Sequence, residues 1–115
     1  TIGGFTTNRR PYAMTREIIR QGKKNLIIES GSAGGDVDML IGAGLVQAIN
    51  ISYIANSGYT NVCRCFRRAI EQGTLPFEDY SLDVQNMIYH GADLGLPYVT
   101  LKNMLGSDLE KKWGI

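Results

Sequence analysis

Short apolar runs and helical stripes take turns along this chain, and glycines mark most of the junctions. Pro11 fits the first turn of a helix, where its missing N–H costs nothing. That helix runs through Ile18, Ile19 and Arg20 and stops at Gly22. Leu26-Ile27-Ile28 is a short apolar run, predicted as a buried strand ending at Glu29. A loop over 30–35 follows. Asp36 is placed to cap a short helix through Met39, Leu40 and Ile41. From 46 to 54, Ala48, Asn50 and Ser52 alternate with Ile49, Ile51 and Tyr53, which predicts a strand. Beyond a polar loop over 56–61, Val62, Phe66, Ala69 and Ile70 share one helical face, ended by Gly73. Residues 74–77 read as a connection. Ser81 or Asp79 caps a further helix through Val84, Met87, Ile88 and Leu94, ending at Gly95. Residues 96–101 read as an edge or final strand, and 107–113 as a short polar helix.

Strand and helix thus alternate four times, the pattern of an α/β fold with a mostly parallel sheet flanked by helices. Crossovers are expected to be right-handed. Thr1-Ile2 runs straight into Gly3-Gly4, as at the end of a strand whose start is absent. Ile115 follows Trp113-Gly114 with no stop signal. The expectation is a single domain over 1–115 that is part of a longer subunit.

Composition narrows the class. The 115 residues are 43% hydrophobic and 20% charged, ordinary for one globular domain with a core of its own. A net charge of +1 argues for neither nucleic acid nor a membrane surface. No apolar run nears the ~20 residues that span a bilayer. Cys63 and Cys65 are two apart on a helix and do not face each other, so reduced thiols and a cytoplasmic location are expected. Zinc takes four ligands, and His90 with these thiols does not complete a set; no metal is expected.

Three loops at strand ends carry the candidate chemistry, because ligands of open α/β sheets bind beyond the strands' C-terminal ends. The loop after the 46–54 strand holds Asn56, Ser57, Gly58 and Asn61: one hydroxyl, two amides and a glycine backbone. Ser57 reads as a hydrogen-bonding group for a substrate or as a turn serine. A Ser-His-acid triad would rest on His90, the single histidine. The segment Gly3-Gly4-Phe5-Thr6-Thr7-Asn8-Arg9-Arg10-Pro11 leads into a helix whose N–H groups can cradle a phosphate. It is neither G-x-G-x-x-G nor a P-loop, and a plain tight turn is the alternative. Gly34 and Gly35 permit close backbone approach. Glu29, partly desolvated by Ile27 and Ile28, reads as a nucleophile or base, or as a solvated strand-end carboxylate. Arg64, Arg67 and Arg68 form one helical stripe, for an anion or for solvent. Trp113 suits an interface.

The segments Gly3-Gly4-Phe5-Thr6-Thr7-Asn8-Arg9-Arg10-Pro11-Tyr12-Ala13, Gly34-Gly35-Asp36-Val37-Asp38-Met39-Leu40-Ile41-Gly42 and Tyr53-Ile54-Ala55-Asn56-Ser57-Gly58-Tyr59-Thr60-Asn61-Val62 resemble the α subunit of family I coenzyme A transferases, on their glutaconate branch. Phe77-Glu78-Asp79-Tyr80-Ser81, Leu94-Gly95-Leu96-Pro97 and Trp113-Gly114-Ile115 continue the resemblance to the chain's end. It implies the CoA-transferase (NagB/RpiA-like) α/β fold in two similar subunits. It implies an enzyme that moves CoA from an acyl-CoA to a small, often dicarboxylic, acid through a glutamyl-CoA thioester, with ping-pong kinetics. Ser57, with Asn56 and Gly58, would then hold the substrate's carboxylate. Gly3, Gly4, Phe5, Asn8 and Arg9, with Gly34 and Gly35, would form the loop for CoA or another anion. The coenzyme A thioester is a substrate, and no cofactor is permanently bound. A β subunit is the expected partner, in an oligomer.

Two departures stand out. The broader family often carries glycine two residues before the proline, where this chain has Arg9, so a different loop geometry is expected. The family's nucleophilic glutamate belongs to the β subunit, in an apolar-apolar-Glu-Ser-Gly strand end, and Ile27-Ile28-Glu29-Ser30-Gly31 reproduces that motif here. Glu29 is then either the nucleophile or a non-catalytic counterpart of it. Two other readings stay open: a ring-opening acyl-CoA hydrolase subunit of the same fold, and a truncated domain that only binds a ligand or partner.

Overall fold

The computed structural model describes residues 9–113. Gly3, Gly4, Phe5 and Asn8, and the strand expected at Thr1-Ile2, lie outside the described residues. The elements in chain order are α1 (Tyr12–Arg20), β1 (Leu26–Ser30), α2 (Gly35–Gly42), β2 (Val46–Ile51), α3 (Arg64–Glu71), β3 (Phe77–Asp79), α4 (Leu82–Asp93) and α5 (Asp108–Trp113). The strands form one parallel sheet in the order β1-β2-β3.

The register makes the two faces of this sheet chemically opposite. Ile28 lies beside Ile49, and Ile49 beside Phe77. One residue on, Glu29 lies beside Asn50, and Asn50 beside Glu78. Successive side chains point to opposite faces, so the first row is apolar and the second polar. On the apolar side, Ala33, Val37, Ile49, Ile51 and Leu75 form the buried core, with Ile41, Phe66, Ala69 and Ile70 of α2 and α3 packed around them. On the polar side α4 contributes Gln85, which is fully buried.

The amphipathic helices stand where their periodicity placed them, and glycines end them. Gly22, Gly73 and Gly95 have φ of +63°, +65° and +67°, the left-handed geometry of a helix C-terminus. Ser81, not Asp79, caps α4: its Oγ accepts from the Val84 N–H at 3.3 Å.

Several expectations are corrected. The run at 26–28 is not a buried strand: β1 is an edge among the described residues, and Ile27, on the polar face, is 66% exposed. Phe77, read as the end of a connection, opens a strand over Phe77–Asp79, because these residues complete the register on β2. The strand read over 46–54 ends at Ile51, and Ile54 makes only an isolated bridge to Ala33. No strand forms over 96–101. That segment runs back along α4 instead: the Val99 side chain packs over Gly91, and Asn103 Nδ2 donates to Asp83 at 3.1 Å. The described residues therefore hold three strands rather than four. Asp36 is not a cap. Gly34 holds the N-cap position of α2, and the Asp36 side chain is buried in its first turn. No helix among the described residues is long and apolar enough to cross a membrane.

Candidate functional site

The three parallel strands end together at Ser30, Ile51 and Asp79, so the loops that follow share one edge of the sheet. The loops after β1 and β2 are joined directly. Ala33 N–H donates to Tyr53 O at 2.8 Å, and Ala55 N–H to Ala33 O at 3.3 Å. This brings Gly35 against the Asn56 loop. A Cβ at Gly35 would lie 2.7 Å from the Tyr12 hydroxyl and 3.2 Å from Asn56 Oδ1. Tyr12, Gly35 and Asn56 thus converge from α1, α2 and the loop after β2, and only glycine fits between them. Asn56 O accepts the N–H groups of both Tyr59 and Thr60, closing a turn in which Gly58 takes φ +90°. Ser57 Oγ lies 2.8 Å from the Tyr53 hydroxyl.

Arg10 fixes this arrangement from the other side. Its guanidinium donates to Ser32 O at 2.6 Å, and its Nε stands 3.6 Å from Asp36 Oδ1, with both side chains almost fully buried. A buried charge must be paired, so the long-range partner outcompetes the local cap expected of Asp36. Asp36 and Asp38 lie in the first turn of α2, so the positive end of that helix dipole already faces two carboxylates of its own.

The departure at Arg9 falls on a left-handed backbone position. Arg9 has φ +63°, in the left-handed region that glycine enters freely. The arginine thus holds a conformation that is open to glycine without strain.

Glu29 lies next to the C-terminal end of β1 and is exposed, not desolvated by its isoleucine neighbours as expected. Two amides hold it. Asn50 Nδ2 donates to Oε2 at 2.9 Å, and Gln85 Nε2 donates to Oε1. A cleft of about 470 Å³ runs along β1, bounded by Ile27 to Ser30, Thr15, Val37, Leu40 and Tyr89, with Arg10 and Asp36 in its wall. Its volume suits a small-molecule site. Next to Glu29 in this polar region, Tyr80 OH donates to Glu78 Oε2. Burial, the bond to Glu78 and the charges of Glu78 and Glu29 push the Tyr80 phenol up to about 12.

The predicted residues fall into two groups. Gly35 and Asn56 meet at Tyr12, with Gly34 next to the one and Ser57 and Gly58 in the turn of the other, whereas Glu29 lines a cleft whose walls include none of them. Sequence reasoning missed Tyr12, Arg10, Asn50 and Gln85. Tyr12 stood inside a motif already singled out, and Gln85 interrupts the apolar stripe of α4 between Val84 and Ile88. The arginine stripe of α3 faces solvent, with Arg67 paired to Glu71 at 2.7 Å. No group of three or more His, Cys, Asp or Glu suited to a metal exists among the described residues.

Known proteins match this fold and these loops together. The chain is 54% identical over 114 residues to the A subunit of the glutaconate CoA-transferase of Acidaminococcus fermentans, covering 99% of this chain and 36% of that protein. It is 38% identical to the A subunit of the 3-oxoadipate CoA-transferase of Pseudomonas knackmussii, covering 96% of this chain and 39% of that protein. The crystal structure of glutaconate coenzyme A-transferase from Acidaminococcus fermentans superposes with a TM-score of 0.90 over 98% of this chain and 36% of that one. The chain thus spans little more than a third of the length of the relatives it matches. The family model described as Coenzyme A transferase matches residues 1–113, and the chain belongs to that family.

Proposed function

We propose that this chain is the part of a CoA-transferase α-type subunit that shapes the substrate loop, and that the complete subunit works with a β subunit to move CoA between an acyl-CoA and a small dicarboxylic acid. Both transferase relatives are named for dicarboxylic acids, and both names weigh against a ring-opening hydrolase. In the first half-reaction a glutamate carboxylate attacks the thioester, forms an acyl-glutamyl anhydride and expels CoA thiolate. The thiolate then attacks the glutamyl carbonyl, releasing the acid and leaving a glutamyl-CoA thioester. The second acid reverses both steps.

Ser57 holds the substrate carboxylate by its hydroxyl, with N–H groups of the Asn56–Gly58 turn beside it. The loop over 3–9 and the Gly34-Gly35 turn meet the CoA or another anion. The nucleophile is a glutamate of the β subunit, and Glu29 is its counterpart on this side. One observation carries that choice: both Glu29 oxygens are engaged by amides of this chain, in a cleft that the Ser57 loop does not line. The reduced Cys63 and Cys65 support a cytoplasmic setting.

Borohydride reduction of the complete two-subunit enzyme after exposure to acyl-CoA converts a glutamyl thioester to an alcohol, which mass spectrometry locates. The expected label is on the β subunit, with Glu29→Gln lowering turnover less than tenfold. A label on Glu29 overturns the assignment. Absence of transfer with and without a β subunit favours a binding-only domain.

A further inference from the structure

Three features of the polar sheet face have no part in the chemistry above. Glu29, Asn50 and Glu78 stand side by side across the three strands. Among the described residues, neither carboxylate is ion-paired. The Lys112 ammonium that approaches β3 lies over the Phe77 ring, on the opposite face of that strand.

Gln85 adds an independent observation. It is fully buried, and its Oε1 has no hydrogen-bond partner. The orientation of this amide is forced, since its NH2 must face the Glu29 carboxylate that accepts from it. The carbonyl oxygen of the same amide is thereby left buried with its acceptor capacity unused. Burial first, then Glu78 and Glu29, push the Tyr80 phenol up. The face therefore presents two anions and a buried amide oxygen, while the amides of Asn50 and Gln85 both donate to Glu29.

We infer that the Glu29–Asn50–Glu78 row, with Gln85, binds a cationic group rich in N–H donors, an ammonium or a guanidinium. A divalent metal fits less well: hard cations need six or more oxygen ligands, and no group of three or more His, Cys, Asp or Glu placed to hold a metal ion exists among the described residues. A nitrogen cation supplies what this face lacks, positive charge together with donors for Gln85 Oε1 and the carboxylates.

The sign of a double-mutant coupling tests this in the full-length protein. Glu29→Gln, Glu78→Gln and the double variant are compared by thermal midpoint. The cycle cancels whatever each glutamate loses locally to Asn50, Gln85 or Tyr80. If one cation serves both carboxylates, removing either already loosens it, and the double loss falls short of the sum of the single losses. If the two charges merely repel, each single change relieves that repulsion, and the double loss exceeds the sum. The expected result is a shortfall in at least one of two salts, ammonium chloride and sodium chloride, and additive or larger losses in both overturn the site.

Repeating the set in ammonium chloride and in sodium chloride at equal ionic strength separates the sources. A midpoint raised by ammonium in the parent and not in the double variant marks a free ammonium-type ligand. A shortfall without that rise marks a lysine or arginine side chain of the enzyme itself. No turnover is measured, so the result stands apart from the fate of the transferase reading.

Discussion

The Asp38 carboxylate of α2 accepts a hydrogen bond from the backbone N–H of Phe66, 2.8 Å away, and so caps a helix to which it does not belong. The N-cap position of α3 is Cys63, whose side chain makes no capping bond. Phe66 is the third residue of that helix, and its N–H has no partner within the helix. Asp38→Ala is therefore expected to cost about 1 kcal/mol, as for a lost N-cap. Asp38→Asn keeps an acceptor and should lose less. Urea midpoints of the three proteins check the order, and an Ala variant as stable as the parent would remove the capping role.

Arg9 gives a prediction of opposite sign. Its φ of +63° costs a residue with a Cβ roughly 1–2 kcal/mol. Glycine avoids that strain but gives back roughly 0.5–1 kcal/mol in chain entropy. Arg9→Gly should then stabilise by roughly 0.5 kcal/mol, whereas Arg9→Ala keeps the strain and should not. The difference between the two variants isolates the backbone, since both remove the same exposed side chain. A glycine variant less stable than the alanine one would show that the left-handed conformation is not strained here.

What could be read from the sequence follows from which interactions are local. The helices announced themselves because an apolar stripe, a capping serine such as Ser81 and a terminal glycine such as Gly73 lie within a few residues of one another. β3 did not, because three residues after Pro76 carry no alternation, and only pairing with Asn50 and its neighbours makes them a strand. Residues 96–101 have strand-like composition, but Val99 finds Gly91 on α4 instead of a strand. The loop residues 56–58 were legible as a polar turn at a strand end. Their convergence with Tyr12 and Gly35 was not, and neither was the hold of Gln85 on Glu29. Both depend on register and helix placement, which no local pattern states. Asp36 had the right type and spacing for a cap until a buried arginine required it elsewhere.

Gly35 tests that convergence. Its Cβ position lies 2.7 Å from the Tyr12 hydroxyl, closer than packing allows, so Gly35→Ala should destabilise by roughly 1–3 kcal/mol, as overpacking does. Tyr12→Phe removes the atom in conflict. In the double variant, Gly35→Ala should therefore cost less than it does alone, a coupling that only residues in contact show. Thermal denaturation of the four proteins measures it, and strict additivity would mean that the two sites do not meet.

The last prediction concerns alkaline pH. Burial, and then the negative charges of Asp38 and Asp36, push the Cys63 thiol from its ordinary 9.0 up to about 12. Burial and Glu78 push the Tyr80 phenol from 10.0 to about 12. In the unfolded chain both groups lose their protons near the ordinary values, while the folded chain still holds them. The unfolded state thus binds fewer protons between about pH 9 and about 12, and stability falls as pH rises through that window. Below pH 9 the contribution of Cys63 is fully present. Cys63→Ala deletes one of the titrating groups and should flatten the first part of the decline, even though the smaller side chain lowers stability at neutral pH. Guanidinium unfolding of the parent and the variant across this range separates the two effects, since the cavity costs the same at every pH and the thiol does not. A parent whose stability is level from pH 8 to 11 would mean that Cys63 ionises as readily folded as unfolded. In the native protein Cys63, only 2% exposed, should also resist iodoacetamide at pH 8 while the less buried Cys65 is modified first.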